Sequence, residues 1–119
     1  MKKILLAEDN SMLSMLLKFR LEKEGYTLLI AENGKETIEL IEEHNPELIL
    51  TDIMMPFISG LEVISYVRNT LKNQTPIIVF SASGQEEIVL QAFKLGATDF
   101  MSKPFSPNEL VNRVKRILK

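Results

Sequence analysis

The sequence predicts an α/β fold, a doubly wound five-stranded parallel sheet with five helices, for which 2-1-3-4-5 is a common strand order. Two observations predict it. Short apolar runs alternate five times with longer segments of helical periodicity. The runs are near-continuously apolar, as strands covered on both faces are. Right-handed crossovers then give a parallel sheet with helices on each side.

The strands are expected near 3–7, 27–31, 48–51, 76–80 and 98–101, and the helices near 11–24, 34–44, 60–71, 85–95 and 107–118. Asn33 with Glu36, Ser59 with Glu62, Ser83 with Glu86 and Ser106 with Glu109 have the spacing of N-terminal capping pairs. Pro107 stands at a first helical position, where its missing N–H costs nothing. Gly25 and Gly96 stand where the first and fourth helices should stop, and Asn45-Pro46 ends the second. Leu110, Val111, Val114, Ile117 and Leu118 make one apolar stripe on the last helix. Met12, Met15 and Phe19 are expected in the core or in helix packing rather than in a binding groove.

At 119 residues the chain has the size of one domain, so residues 1–119 are expected to form a single unit without linker, repeat or effector domain. A chain of this length buries roughly two-thirds of its unfolded surface. Hydrophobic residues make up 45% and charged residues 25%, which is ordinary globular usage. The net charge of -2 argues against direct nucleic-acid binding or an anionic membrane surface. Arg113, Lys115, Arg116 and Lys119 gather at the C-terminal end of a helix, where they suit its dipole. There is no cysteine, and no apolar stretch approaches the ~20 residues of a membrane span. The start of the chain is too short and too soon acidic for a signal peptide, so a cytoplasmic location is expected. His44, at a helix end, is read as a surface residue.

The strand ends carry the chemistry. The first strand stops at Glu8-Asp9, the third at Asp52, the fourth at Ser81 and the fifth at Lys103-Pro104. In a parallel sheet these groups emerge on one edge, and order 2-1-3-4-5 sets Glu8 and Asp9 beside Asp52 at the switch point. Three carboxylates suit a hard divalent cation; a hydroxyl and an ammonium suit an oxyanion. A carboxylate can serve as a phosphoryl nucleophile and form an acyl phosphate, which points to phosphoryl chemistry on Asp52. Each residue alone has a plainer reading: Asp52 as a turn or cap residue, Glu8 and Asp9 as favourable charges before a helix capped by Asp9 or Asn10, Ser81 and Lys103 as solvated side chains, and Phe100 as a core aromatic. It is the set that points to function.

Glu8-Asp9, Asp52-Ile53-Met54-Met55-Pro56 with Gly60, Ser81-Ala82 and Lys103-Pro104-Phe105, each after its strand, resemble the receiver domain of two-component response regulators over essentially the whole chain. The topology implied is flavodoxin-like. The resemblance implies that Asp52 accepts a phosphoryl group from a histidine kinase or phosphotransfer protein. It implies Mg²⁺ held by Asp9, Asp52 and the Met54 carbonyl, with Glu8 acting through water. Lys103 and Ser81 would contact the phosphoryl group, Phe100 would be the aromatic switch, and the Lys103-Pro104 bond would be cis. Ile58-Ser59 and Phe100 depart mildly from the commoner residues, and Phe100 lacks the hydroxyl of the usual tyrosine.

The implied role is a signalling receiver rather than an enzyme, catalysing only its own phosphotransfer and dephosphorylation. Its fourth helix, fifth strand and fifth helix would bind a downstream protein through apolar surface near Val89 and Phe100. Asp99, Glu109, Arg113 and Lys115 match part of a charge set that pairs receivers symmetrically, but Val89, Lys94 and Thr98 leave it incomplete. A monomer or weak dimer is therefore expected. A haloacid-dehalogenase-type phosphatase is disfavoured because Met54 stands where it needs a second acid. A flavin carrier is disfavoured because Glu8-Asp9-Asn10-Ser11 replaces a phosphate loop.

Overall fold

A computed structural model describes residues 2–119. The strands are β1 (Lys3–Ala7), β2 (Thr27–Ala31), β3 (Leu48–Asp52), β4 (Ile77–Ser81) and β5 (Asp99–Ser102). The helices are α1 (Ser11–Lys23), α2 (Gly34–His44), α3 (Gly60–Ser65), α4 (Glu86–Leu95) and α5 (Pro107–Leu118). All pairings are parallel, in the expected order β2-β1-β3-β4-β5.

Strand alternation splits the core in two. Ile4, Leu6, Leu48, Leu50, Ile78, Phe80 and Met101 face α1 and α5, where Leu17, Leu21, Leu110 and Val114 meet them. Leu5, Ala7, Ile49, Ile77 and Val79 face α2, α3 and α4, where Ile41, Val63, Ile64, Val89 and Ala92 meet them. Glu8 and Asp52 continue the first set by parity, and Ser81 continues the second.

Local signals set most boundaries. Asn10, Asn33, Ser59 and Ser106 accept the backbone N–H three residues on, and Ser59 with Glu62 forms the full reciprocal box. Asn45 closes α2 in the left-handed region at φ 49.

Three expectations are corrected. Ser83 does not cap α4. The chain turns at Gly84, and the Gln85 amide oxygen accepts the Ala82 N–H at 2.6 Å instead, leaving the first turn of α4 without a side-chain cap. The expected helix over 60–71 is α-helical only to Ser65 and passes into a π-helical turn, Tyr66–Thr70, closed by Leu71 N–H on Tyr66 O at 3.0 Å. Met12, Met15 and Phe19 are not core residues. They are 82%, 70% and 61% exposed, because Leu17 and Leu21 on the other side of α1 meet the sheet.

Candidate phosphoacceptor site

Pairing register builds the site. Ala7 lies beside Thr51 and Asp52 beside Phe80, so Glu8 and Asp52 leave the sheet as neighbours on the same face. Ser81 pairs with Ser102, which brings Lys103 to the same edge. The Lys103 N–H donates to Ser81 O at 2.7 Å, and the Lys103-Pro104 bond is cis as expected.

The Lys103 ammonium bridges two carboxylates, donating to Glu8 Oε1 at 2.7 Å and to Asp52 Oδ2 at 3.0 Å. Glu8 is buried and Asp52 partly so. Burial pushes the Glu8 carboxyl above its ordinary range; hydrogen bonds from Lys103 and the Asn10 amide oppose this, and the Asp52 charge adds to it. Burial by itself would lower Lys103, but its hydrogen bonds to Glu8 and Asp52 and their charges outweigh it and hold the ammonium above its usual value.

Asp9 remains exposed because Asn10 does the capping, accepting Leu13 N–H at 3.1 Å while its own N–H donates to Glu8 Oε2 at 3.1 Å. Glu8, Asp9 and Asp52 each bring a carboxylate oxygen to within 4.8 Å of the others. An all-oxygen anionic set of this spacing fits a hard divalent cation such as Mg²⁺. The Met54 N–H faces Asp52 Oδ1 at 3.4 Å.

Gly60 closes the loop after Asp52. Its N–H donates to Ile53 O at 2.9 Å, and a Cβ there would come within 2.7 Å of Asp52 O. No side chain fits without moving the end of β3.

The other two expected residues lie on the opposite face. Ser81 is buried and, among the described residues, has no hydrogen bond to Asp52. Together with Val89, Leu90, Phe93, Phe100 and Lys103 it lines a groove of about 550 Å³. Phe100 is 37% exposed and meets Phe93 edge-on, with centroids 6.0 Å apart. The apolar surface expected near Val89 is carried by other residues: Val89 is buried, while Leu90 and Phe93 are exposed.

The sequence matches the family described as "Response regulator receiver domain" over residues 4–115. The chain belongs to that family. Among its relatives, the transcriptional regulatory protein ResD of Bacillus subtilis (strain 168) is 44% identical over 117 residues, covering 98% of this chain and 48% of ResD. The transcriptional regulatory protein SrrA of Staphylococcus aureus is 41% identical over 116 residues, covering 98% and 47%. This receiver therefore spans about half the length of the curated relatives it matches. The receiver domain of the Francisella response regulator 1452 superposes with a TM-score of 0.90 at 32% identity, over 98% of this chain and 96% of that one. A response regulator receiver domain protein of Clostridium thermocellum gives 0.86 at 26% identity, over the full length of both. Receiver domains are signalling switches rather than enzymes, and they bind Mg²⁺ at an acidic cluster of this kind. No helix among the described residues is long and apolar enough to cross a membrane.

The sequence did not single out the exposed face of α1, or Arg68 in the π-helical turn. For α1 the clue was present, since apolar residues occur on more than one side of the helix. Arg68 carried no local signal.

Proposed function

We propose that residues 1–119 form one phosphorylation switch with Asp52 as acceptor. The observation that carries this reading is the Lys103 ammonium held on Asp52 and Glu8 with Asp9 alongside, a cation and three carboxylates at the ends of adjacent strands. An Asp52 oxygen forms the new O–P bond as the P–N bond to a donor histidine breaks, and the leaving imidazole takes up a proton. Lys103 supplies a compact positive charge to the phosphoryl oxygens, and Ser81 donates a hydrogen bond to them. Asp9, Asp52 and the Met54 carbonyl would hold Mg²⁺, with Glu8 acting through water. Its contribution when bound is to offset repulsion between the carboxylates and the phosphoryl oxygens. Water later resets Asp52 by hydrolysis.

The phosphodonor is a histidine kinase or phosphotransfer protein, and the exposed Met12, Met15 and Phe19 on the helix that follows Asp9 support its docking on α1. Phosphorylation draws Ser81 toward Asp52, and Phe100 turns into the space released. The face of α4, β5 and α5 then takes a downstream protein, with Leu90, Phe93 and Phe100 as anchors. Arg113 is already engaged by Asp99 at 2.9 Å and Glu109 at 3.2 Å within the same chain, which supports a monomer or weak dimer. These residues make no nucleic-acid contact themselves. ResD and SrrA are transcriptional regulatory proteins of about twice this length, which supports an output on transcription through chain outside these residues. The setting is cytoplasmic. The phosphatase alternative has no support, since the half-exposed Met54 occupies the place of its second acid.

Acetyl phosphate with Mg²⁺ should add one phosphoryl group to the wild-type protein, mapped to Asp52 by mass spectrometry. Asp52→Asn should take none, and an adduct on that variant at wild-type yield would remove Asp52 from this role.

A further inference from the structure

The two ends of α4 are held very differently. Before its N-terminus, Ala82, Ser83 and Gly84 are exposed, and no side chain caps the first turn. Only Val89 and Ala92 of the helix are buried. Its C-terminal end is tied at several points. The Gly96 N–H donates to Ala92 O at 3.1 Å and Phe93 O at 3.0 Å, and the Ala97 N–H to Ala92 O at 2.9 Å. The Thr98 N–H donates to Ile77 O at 2.8 Å, while Thr98 Oγ1 accepts the Ile77 N–H at 2.9 Å.

A long-range clamp joins these bonds. Arg68 reaches across from the π-helical turn; its Nε donates to Gly96 O at 3.1 Å and its Nη1 to Asn73 O at 2.9 Å. Both partners are backbone carbonyls, and among the described residues no carboxylate pairs with Arg68. Arg68 is half-buried, and withdrawing a guanidinium from water costs free energy. Two charge-assisted bonds and the negative end of the α4 dipole offset that cost. The fit is close. Gly96 sits at φ 116, and a Cβ on it would lie 2.9 Å from Arg68 Cγ and 3.0 Å from Nε.

We propose that Arg68 is the fulcrum of the switch: with Gly96 it pins the C-terminal end of α4, so that rearrangement of the 82–85 loop tilts the helix about that point. The proposal rests on the phosphorylation reading above. Arg68 touches neither the phosphoryl group nor the metal site and is a positioning residue. A helix is stiff, so displacement grows with distance from the pinned end. At about 1.5 Å rise per residue, Glu86 lies roughly 15 Å from Gly96 and Phe93 roughly 4.5 Å. The groove beneath α4 therefore opens most at Ser83 and Glu86 and least at Phe93.

Residue-resolved amide exchange tests this, using beryllofluoride with Mg²⁺ as the phosphoryl mimic. In the wild type the mimic should change exchange at 83–90 about fivefold or more beyond its effect at 94–97. Arg68→Met, without the mimic, should speed exchange at 93–97 about tenfold while leaving α1 and α5 unchanged. With the mimic, this variant should lose the graded response yet still show shifts around Asp52. If Arg68→Met does not fold, Gly96→Ala, which displaces the guanidinium, and Arg68→Lys, which keeps the charge and one donor, give the same reading, the lysine with the smaller effect. Wild-type protection at 93–97 in all folded variants would overturn the proposal. A response that spreads along α4 without grading would overturn the fulcrum and leave the switch standing. A response confined to the neighbourhood of Asp52 would overturn both.

Discussion

On the side of the sheet that faces α1 and α5, the strands end in Glu8, Asp52 and Lys103; on the side that faces α4, they end in Ser81 and pass Phe100. The first side is tightly determined. Phe80 is fully buried with its ring 4.9 Å from Phe105, α5 starts on a Ser106 cap and Pro107, and the ion pairs tie the ends of β1, β3 and β5 together. The second side is loose at one end, with an uncapped α4 that buries only two side chains. Phosphoryl transfer demands fixed atoms. A response demands an element whose local stability is low enough to shift. On the function proposed above, the two demands fall on opposite faces of one sheet edge.

Four substitutions, in falling order of expected effect on stability, test this division. Phe80→Ala should cost about 3–5 kcal/mol in urea unfolding, because it empties the first face at its centre. A cost below that of Phe100→Ala would invert the comparison.

Lys103→Met should cost about 2–3 kcal/mol near neutral pH in metal-free buffer, because it leaves buried Glu8 beside Asp52 with no cation. The penalty should depend on pH. The folded-state pKa of Glu8 stands above the ordinary 4.5, so the folded form binds more protons than the unfolded form between the two values. Its contribution is most favourable below 4.5 and is lost as pH rises through the folded value. Removing Lys103 extends that window upward, so the penalty should shrink as pH falls from 8 toward 5. A pH-independent penalty would show that Glu8 is not the group left exposed to the loss. Lys103 has the same sign at the other end of the scale. Its raised value gives stability that is present below the ordinary 10.5 and lost above the folded value.

Phe100→Ala should change stability by no more than about 1 kcal/mol, since the side chain is more than a third exposed and its one aromatic partner is the edge-on Phe93 ring. It should nonetheless abolish the beryllofluoride-linked amide shifts in α4 while Mg²⁺ affinity stays within about twofold by titration calorimetry, as roughly expected for a residue outside the metal shell. Arg113→Ala should have the smallest effect, about 0.5 kcal/mol, because its ion pairs are partly solvated. Sedimentation velocity should find it, like the wild type, predominantly monomeric at low micromolar concentration with or without the mimic. A tight dimer in either protein would mean that the α4, β5 and α5 face is built for self-pairing.

The residues proposed to carry the chemistry stood out because each lies at or just after the end of a mostly apolar run, a local signal. Topology then places those run ends side by side. The division between faces was also written in the chain, through the even spacing of Leu6 and Glu8, Leu50 and Asp52, and Val79 and Ser81. What escaped depends on tertiary contacts. α1 is apolar on more than one side, so spacing cannot say whether Leu17 and Leu21 or Met15 and Phe19 meet the sheet. The Ser83 pattern looked like a cap until Gly84 redirected the chain. The π-helical turn and the reach of Arg68 to Gly96 join segments 28 residues apart, and no local window contains both.

The outward stripe of α1 also governs how the molecule behaves as a particle. Met12, Met15, Leu16 and Phe19 present a continuous oily strip to solvent, while the whole chain carries a charge of only -2 at pH 7. Repulsion between copies is weak at neutral pH and vanishes near the isoelectric point of about 5.5, where the strip is free to set the sign of the pair interaction. Solubility should therefore pass through its minimum near that pH, and polar replacements at Met15 and Phe19 should raise it there far more than at pH 8. In a concentrated solution the helix proposed to receive the donor is also the one that brings copies of the protein together.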